Sequence, residues 1–306
     1  MKQVIARGLL SALGGLTLYP CLSLAQSPVA MPQALARSVP KAECKSNDDW
    51  SEPSFARHIY GNSWYVGTCG ISVILIATPQ GHILIDGATE QAAPDVEASI
   101  RSLGVNLSDI KTILVTHEHH DHIGGVAQLQ KDSGAVVLTR KAALDALRQG
   151  KNSPNDPQFG ELKNFPPISN VQAIADGGLI RLGSVKVNNI PMTGHAPGGS
   201  GWSWQECENG VCLNLMFSDS ISSISNASYR FSSSGAITSK LRASIKRLSN
   251  TPCDILITGH GKQSNLLNRL DGKATLSEPK ACKELATTGR ENLSKRLSEE
   301  ARSRSR

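Results

Sequence analysis

Apolar residues along this chain fall into short, often β-branched runs, separated by stretches in which they recur every three or four positions. The first pattern predicts buried strands and the second amphipathic helices. In the first half, from about residue 56 to 151, strands are predicted over 71–78, 82–86, 112–116 and 135–139. Helices are predicted over 92–103, 123–131 and 141–149. A second half, from about residue 171 to 285, repeats the scheme with strands near 180–182, 185–190, 213–218 and 255–258. Its main helix is predicted over 239–248, and another after Cys282. Two similar halves of this kind predict an α/β protein in which two sheets pack face to face with helices outside, a four-layer αββα sandwich. Residues 150–170 lie between the halves, and four prolines with few apolar residues predict a loop there. Long ordered loops of this sort often border a site.

The chemistry concentrates at one strand end. Four of the eight histidines lie in His117-Glu118-His119-His120-Asp121-His122, directly after the apolar run Ile113-Leu114-Val115-Thr116. That run reads as a buried strand ending at His117. Side chains two apart on extended backbone share a face, so His117 and His119 can converge on one ion. Asp121 and His122 fall where the chain turns, and can address a second ion nearby. Imidazoles with one carboxylate are a ligand set suited to zinc, with water completing a catalytic site. A low-complexity histidine tract would lack the preceding strand.

The segment Thr116-His117-Glu118-His119-His120-Asp121-His122 resembles the signature of the metallo-β-lactamase superfamily. Gly194-His195 and Gly259-His260, each following an apolar strand, arrive in the expected order. The string Gly194-His195-Ala196-Pro197-Gly198-Gly199-Ser200-Gly201-Trp202-Ser203-Trp204, with Phe217-Ser218-Asp219-Ser220-Ile221-Ser222, is similar to the third subclass of metallo-β-lactamases. The first subclass would carry a cysteine where this chain has Ser220, and the second an asparagine at His117. The resemblance spans about residues 45 to 285.

The resemblance implies a metallo-β-lactamase fold and two Zn²⁺ per chain, one held by His117, His119 and His195, the other by Asp121, His122 and His260. It implies hydrolysis of the β-lactam amide in penicillins, cephalosporins and carbapenems by a metal-bound hydroxide, hence antibiotic resistance. Asp121 would also orient the nucleophile. Ser220, Ser222 and Gln158 are candidate contacts to this small-molecule substrate, and Tyr229 a weaker one for the developing oxyanion. Asp86, ending a predicted strand, is a candidate to orient a ligand imidazole. His120 is expected to point away from the metals, and His58 and His82 to be structural. The competing reading is a thioester or lactone hydrolase of the same superfamily, in which an aspartate bridges the metals near this strand end. Asp219, one residue from Ser220, decides between them by where it points, because a one-residue slip on a strand reverses the face.

Residues 1–25 read as a secretory signal, with Lys2 and Arg7 before an apolar stretch and small residues Ser23-Leu24-Ala25 at the cleavage positions. A soluble periplasmic protein without a membrane span follows, with an N-terminal arm over 26–55, the hydrolase domain over 56–285 and a basic, frayed or helical tail over 286–306. Removing the signal leaves six of the seven cysteines, an even number suited to an oxidising compartment. Cys207 and Cys212 flank a turn sequence, which favours pairing across a hairpin. The resemblance implies Cys253 with Cys282. Cys44 and Cys69 remain and would pin the arm to the first hairpin, although sequence alone leaves the connectivity open. The formal charge of +6 is concentrated in the signal and beyond Lys283, leaving the body near neutral. No basic stripe for nucleic acid results. A monomer is expected.

Overall fold

A computed structural model describes residues 44–46 and 49–304. The expected signal and most of the arm lie outside the described residues. Seven strands form the first sheet in chain order: β1 (Arg57–Tyr60), β2 (Ser63–Tyr65), β3 (Ile74–Thr78), β4 (Gly81–Ile85), β5 (Ile110–Leu114), β6 (Val136–Arg140) and β7 (Val171–Ile174). The second sheet has five: β8 (Leu179–Leu182), β9 (Val185–Pro191), β10 (Ser200–Glu208), β11 (Val211–Ser218) and β12 (Ile255–Thr258), with β12 at one edge beside β11. Helices α1 (Ala93–Ser102), α2 (His120–Ile123), α3 (Val126–Ser133) and α4 (Leu144–Gln149) belong to the first half. Helices α5 (Gly235–Asn250), α6 (Leu266–Leu270) and α7 (Ala281–Arg304) belong to the second.

Strand alternation sorts the side chains into layers. Leu75, Leu84, Ile113 and Val137 face outward, into one apolar cluster with Val96 and Ile100 of α1, Leu129 of α3 and Leu147 of α4. Their neighbours Ile74, Ile76, Ile83, Ile85 and Leu114 face inward, where they meet Trp202, Trp204, Leu215, Phe217, Ile255 and Ile257 of the second sheet. On that sheet's far side Met216 and Leu256 pack on Leu241, Ile245 and Leu248 of α5 and Ala286 and Leu293 of α7. Strands buried on both faces read as continuous apolar runs, and the resulting layering is αββα.

Several boundaries differ from the sequence expectation. Strand β7 lies at the expected start of the second half yet joins the first sheet by parallel pairing with β6, while the second sheet starts at Leu179, beside the strand predicted near 180. The glycine-rich start of β10 hides a nine-residue strand that pairs with both β9 and β11. Of the two forms expected for the tail, the described residues take the helical one, as α7 continues to Arg304. Leu293 and Glu300 on it are buried, and Leu297 packs on the third cluster.

Disulfides join Cys44 to Cys69, Cys207 to Cys212 and Cys253 to Cys282. The first ties the arm to the β2–β3 connection, the second closes the β10–β11 hairpin, and the third anchors the start of α7 to the residues before β12. No helix among the described residues is long and apolar enough to cross a membrane.

Candidate metal centre

Ligand side chains arrive from both sheets at one edge of the sandwich. Strand β5 ends at Leu114, and Val115 and Thr116 carry the chain on to His117. Asp86 fixes this exit. Its Oδ1 accepts the Thr116 amide at 2.8 Å and its Oδ2 the Thr116 hydroxyl at 2.6 Å. The backbone of Asp86 is left-handed (φ 63°), a conformation costly to a side-chain-bearing residue and typical of functional sites. His119 precedes the one-turn helix α2, whose first turn carries Asp121 and His122. His195 follows β9 and His260 follows β12, both from the second sheet.

Two triads result. Ligand atoms of His117, His119 and His195 lie within 4.8 Å of one another, as do those of Asp121, His122 and His260. The rings of His117 and His122 are 4.2 Å apart, so the triads adjoin. His120 belongs to neither and faces Trp50 of the arm, with ring centroids 6.0 Å apart. His58 and His82 serve local backbone: His58 Nε2 bonds the Gly61 carbonyl at 2.9 Å, and His82 Nδ1 accepts the Thr78 amide at 3.3 Å.

Behind the first triad each ring has a partner. Asp219 Oδ1 lies 2.7 Å from His117 Nδ1, Asp156 Oδ2 lies 2.9 Å from His119 Nε2, and Ser222 Oγ lies 2.9 Å from His195 Nδ1. This leaves His117 Nε2 buried and without a hydrogen-bond partner, and His119 Nδ1 and His195 Nε2 as the ring nitrogens that these partners do not engage. In the second triad Asp121 Oδ2 is 3.2 Å from His122 Nε2 and 3.3 Å from His260 Nε2, and Asp86 Oδ2 is 3.5 Å from His122 Nδ1. Gly259 admits the His122 ring, which a Cβ at that position would strike.

The electrostatics suit a cation. Burial and then the surrounding imidazoles hold His117 and His195 well below the usual histidine range, in the neutral form that offers a lone pair. Burial opposes ionisation of Asp121, yet His122, His260 and His117 outweigh it and hold the carboxyl well below its ordinary value. His122 is likewise opposed by burial but raised to about 10 by Asp121 and Asp86. A cation at this triad would take the place of that proton. Orphaned imidazole nitrogens, a shared carboxylate and partners behind the rings fit zinc.

The loop carrying His195 is held by first-half residues that sequence reasoning did not single out. Gly198 donates its amide to both oxygens of buried Glu118 at 3.0 Å. Arg140 Nη1 donates to Thr193 Oγ1 at 2.6 Å and the Gly199 carbonyl at 2.9 Å. Asp156 was also missed, since no spacing links a loop aspartate to a ring 37 positions away.

Of the candidate substrate contacts, Ser220 and Ser222 sit on the rim, partly exposed. Gln158 is partly buried and its Nε2 is without a partner. The Tyr229 ring packs on Phe231 (5.2 Å) against the third apolar cluster, and its hydroxyl, like the Gln158 amide, is buried without a partner.

Residues 66–205 match the model of the metallo-β-lactamase superfamily. The whole fold is similar to the metallo-β-lactamase SMB-1, with 44% identity and a TM-score of 0.80 over 82% of this chain and 99% of that one. The chain belongs to the metallo-β-lactamase superfamily. It is also similar to MEM-A1, a subclass B3 metallo-β-lactamase isolated from a soil metagenome library, with 38% identity and a TM-score of 0.81 over 83% and 100% of the two chains. Among curated relatives, a hydroxyacylglutathione hydrolase of Bradyrhizobium sp. (strain ORS 278) is 38% identical over 21% of this chain and 28% of its own length. A Bacillus anthracis exodeoxyribonuclease, YycJ, is 29% identical over 32% and 38%. The chain thus matches about a third of the length of these curated relatives. Like other members of the superfamily it is a hydrolase in fold, and its His-rich triads are candidate metal sites.

Proposed function

We propose that this superfamily member is a zinc-dependent β-lactamase that opens the amide ring of penicillins, cephalosporins and carbapenems. In this reading it carries two zinc ions, works as a periplasmic monomer after removal of its first 25 residues, and confers resistance to these antibiotics. The observation that carries the reading is the position of Asp219. A thioester hydrolase of the superfamily would need an aspartate between the metals near this strand end. Here that carboxylate stands behind His117, at Nδ1 rather than at the free Nε2. The likeness to SMB-1 over nearly all of that protein points the same way.

Bound in the two triads, zinc would supply Lewis acidity toward the lactam carbonyl and lower the pKa of a water toward ~7. The remaining work falls to the side chains. Asp121 Oδ2 is within reach of both His122 and His260, and the carboxylate can accept a hydrogen bond from the attacking water, holding its lone pair toward the carbonyl. Ser222 Oγ, accepting from His195 Nδ1–H, keeps its own O–H to donate to a substrate carboxylate, with Ser220 beside it. Gln158 offers an unpartnered amide from the opposite loop.

Purified protein should hydrolyse a penicillin, a cephalosporin and a carbapenem, and a chelator should abolish each activity. Turnover that survives chelation, or hydrolysis of a glutathione thioester faster than all three, would overturn the assignment. The second outcome would favour the thioester reading suggested by the short match to a hydroxyacylglutathione hydrolase.

A further inference from the structure

The last helix touches the metal site's surroundings at both ends of one loop. At Gly289 of α7 a Cβ would stand 2.5 Å from Ile221 Cδ1, so the bare glycine lets the helix lie against the residue preceding Ser222. Two turns on, Arg296 Nη2 donates to Ser225 Oγ at 2.7 Å and to the Tyr229 carbonyl at 3.2 Å. Its Nε donates to Glu300 Oε1 at 2.6 Å. Glu300, 3% exposed, accepts the Phe231 and Ser232 amides with the same carboxylate, at 3.1 and 2.8 Å. Charge-assisted bonds of this kind are about twice as strong as neutral ones.

The loop held in this way grips a second loop. Asn226 donates its amide to the Pro157 carbonyl at 2.9 Å and its Nδ2 to the Phe159 carbonyl at 2.8 Å. Its Oδ1 accepts from the Ser228 and Tyr229 amides at 3.0 and 2.8 Å. Ala227 adds a bond to Glu161 Oε1 at 3.3 Å. The second loop contains Asp156, which holds the His119 ring and accepts the Gln158 amide at 2.7 Å. One loop therefore reaches the first triad at His195 through Ser222, and the other reaches it at His119 through Asp156.

We propose that Arg296 and Glu300 are positioning residues for the substrate: through Asn226 they lock residues 153–161 and 220–232 into a single clasp whose spacing decides which lactam fits. The nature of the substrate rests on the β-lactamase reading above, whereas the clasp does not. Neither loop contains a strand or α-helix. Without these bonds nothing in a regular ladder would hold their separation, and unanchored loops open at small free-energy cost.

The test uses zinc-loaded full-length protein with Arg296→Ala, Arg296→Lys and Asn226→Ala. KM and kcat for a penicillin and a carbapenem, metal content, and hydrogen exchange over 153–161 and 220–232 are measured. Each alanine variant should raise KM roughly three- to tenfold, as expected for one or two lost hydrogen bonds, with a smaller change in kcat and unchanged metal content. Exchange should accelerate in both loops. Arg296→Lys keeps the charge but loses the planar fork, and should recover only part of the loss. A helix that merely anchors the fold would lower Tm and leave KM and exchange over 153–161 unchanged, and that result overturns the proposal. Should Arg296→Ala fail to fold, Asn226→Ala carries the same test from the middle of the clasp. If the wild type hydrolyses no lactam, the functional reading falls. Exchange over 153–161 then still decides the clasp, acceleration supporting it and its absence overturning it.

Discussion

In the triad of His117, His119 and His195 a polar side chain stands behind every ring, Asp219, Asp156 and Ser222 in turn, and the three histidines are buried. In the triad of Asp121, His122 and His260 one carboxylate oxygen is shared between two imidazoles, and the His260 side chain is 27% exposed. Behind His260 stands the half-exposed indole of Trp50, with ring centroids 5.5 Å apart. The first triad spends three polar side chains on fixing rings before any ion arrives. The second has one such partner, Asp86 at 3.5 Å from His122 Nδ1, and otherwise relies on its own members. Outer partners that fix ring orientation raise metal affinity, so the two sites should differ in how tightly they hold zinc.

Asp121→Ala strikes the point of greatest difference. It removes a proposed ligand and the carboxylate shared by His122 and His260, so one metal should remain per chain and turnover should fall by at least roughly a hundredfold. Metal analysis beside steady-state kinetics checks this, and a variant with two ions and a near-normal rate would contradict the shared role. Asp156→Asn or Asp219→Asn should next weaken the first site by roughly 10- to 100-fold while sparing the second, read by competition with a coloured chelator. Ser222→Ala should cost less at that site, because a neutral hydroxyl orients His195 more weakly than a carboxylate does. Graded chelation of the wild type gives the direct contrast: the triad containing His260 should empty first. Simultaneous release would erase the distinction.

The smallest effect lies outside both triads. Burial opposes ionisation of Glu300, but Arg296 and the Ser232 and Phe231 amides outweigh it and hold the carboxyl down to about 2. A depressed carboxyl stabilises the fold fully above its unfolded value near 4.5, and that contribution disappears as pH falls toward about 2. Glu300→Gln should therefore destabilise by about 1–3 kcal/mol at neutral pH, with a gap from wild type that closes between these two values. Thermal melts across that range measure it. Metal binding at either triad should be unaffected.

How much of this was readable in advance depended on whether the signal was local. His117, His119, Asp121 and His122 share one segment whose spacing marked them, whereas His195 and His260, each a lone histidine after an apolar strand, were marked by the family resemblance. The nearly continuous apolar runs in Ile74–Thr78 and Gly81–Ile85 likewise forecast buried strands. Sheet membership was not local: Val171 joins the first sheet only because β6 offers a parallel edge, a tertiary choice. The residues Ser200 and Gly201 disguised β10 as a loop, since glycine lowers strand propensity. In the tail, Leu293, Leu297 and Glu300 share an inward face of α7, but the surrounding charges made it look solvated. The partners Asp156, Asp219 and Glu118 act across folded distance, and nothing in their neighbours along the chain announces it.

The coordinating groups are divided between the sheets, four following β5 in the first and His195 and His260 following β9 and β12 in the second. Any ion that engages both sets rivets the two layers together, and it can do so only once they have docked. Metal uptake and closure of the sandwich then become linked equilibria, in which ligand favouring the assembled form raises its apparent stability. Under the zinc-dependent function proposed above, scarcity of zinc would leave this protein mechanically softer as well as chemically idle, and more open to proteolysis along the seam.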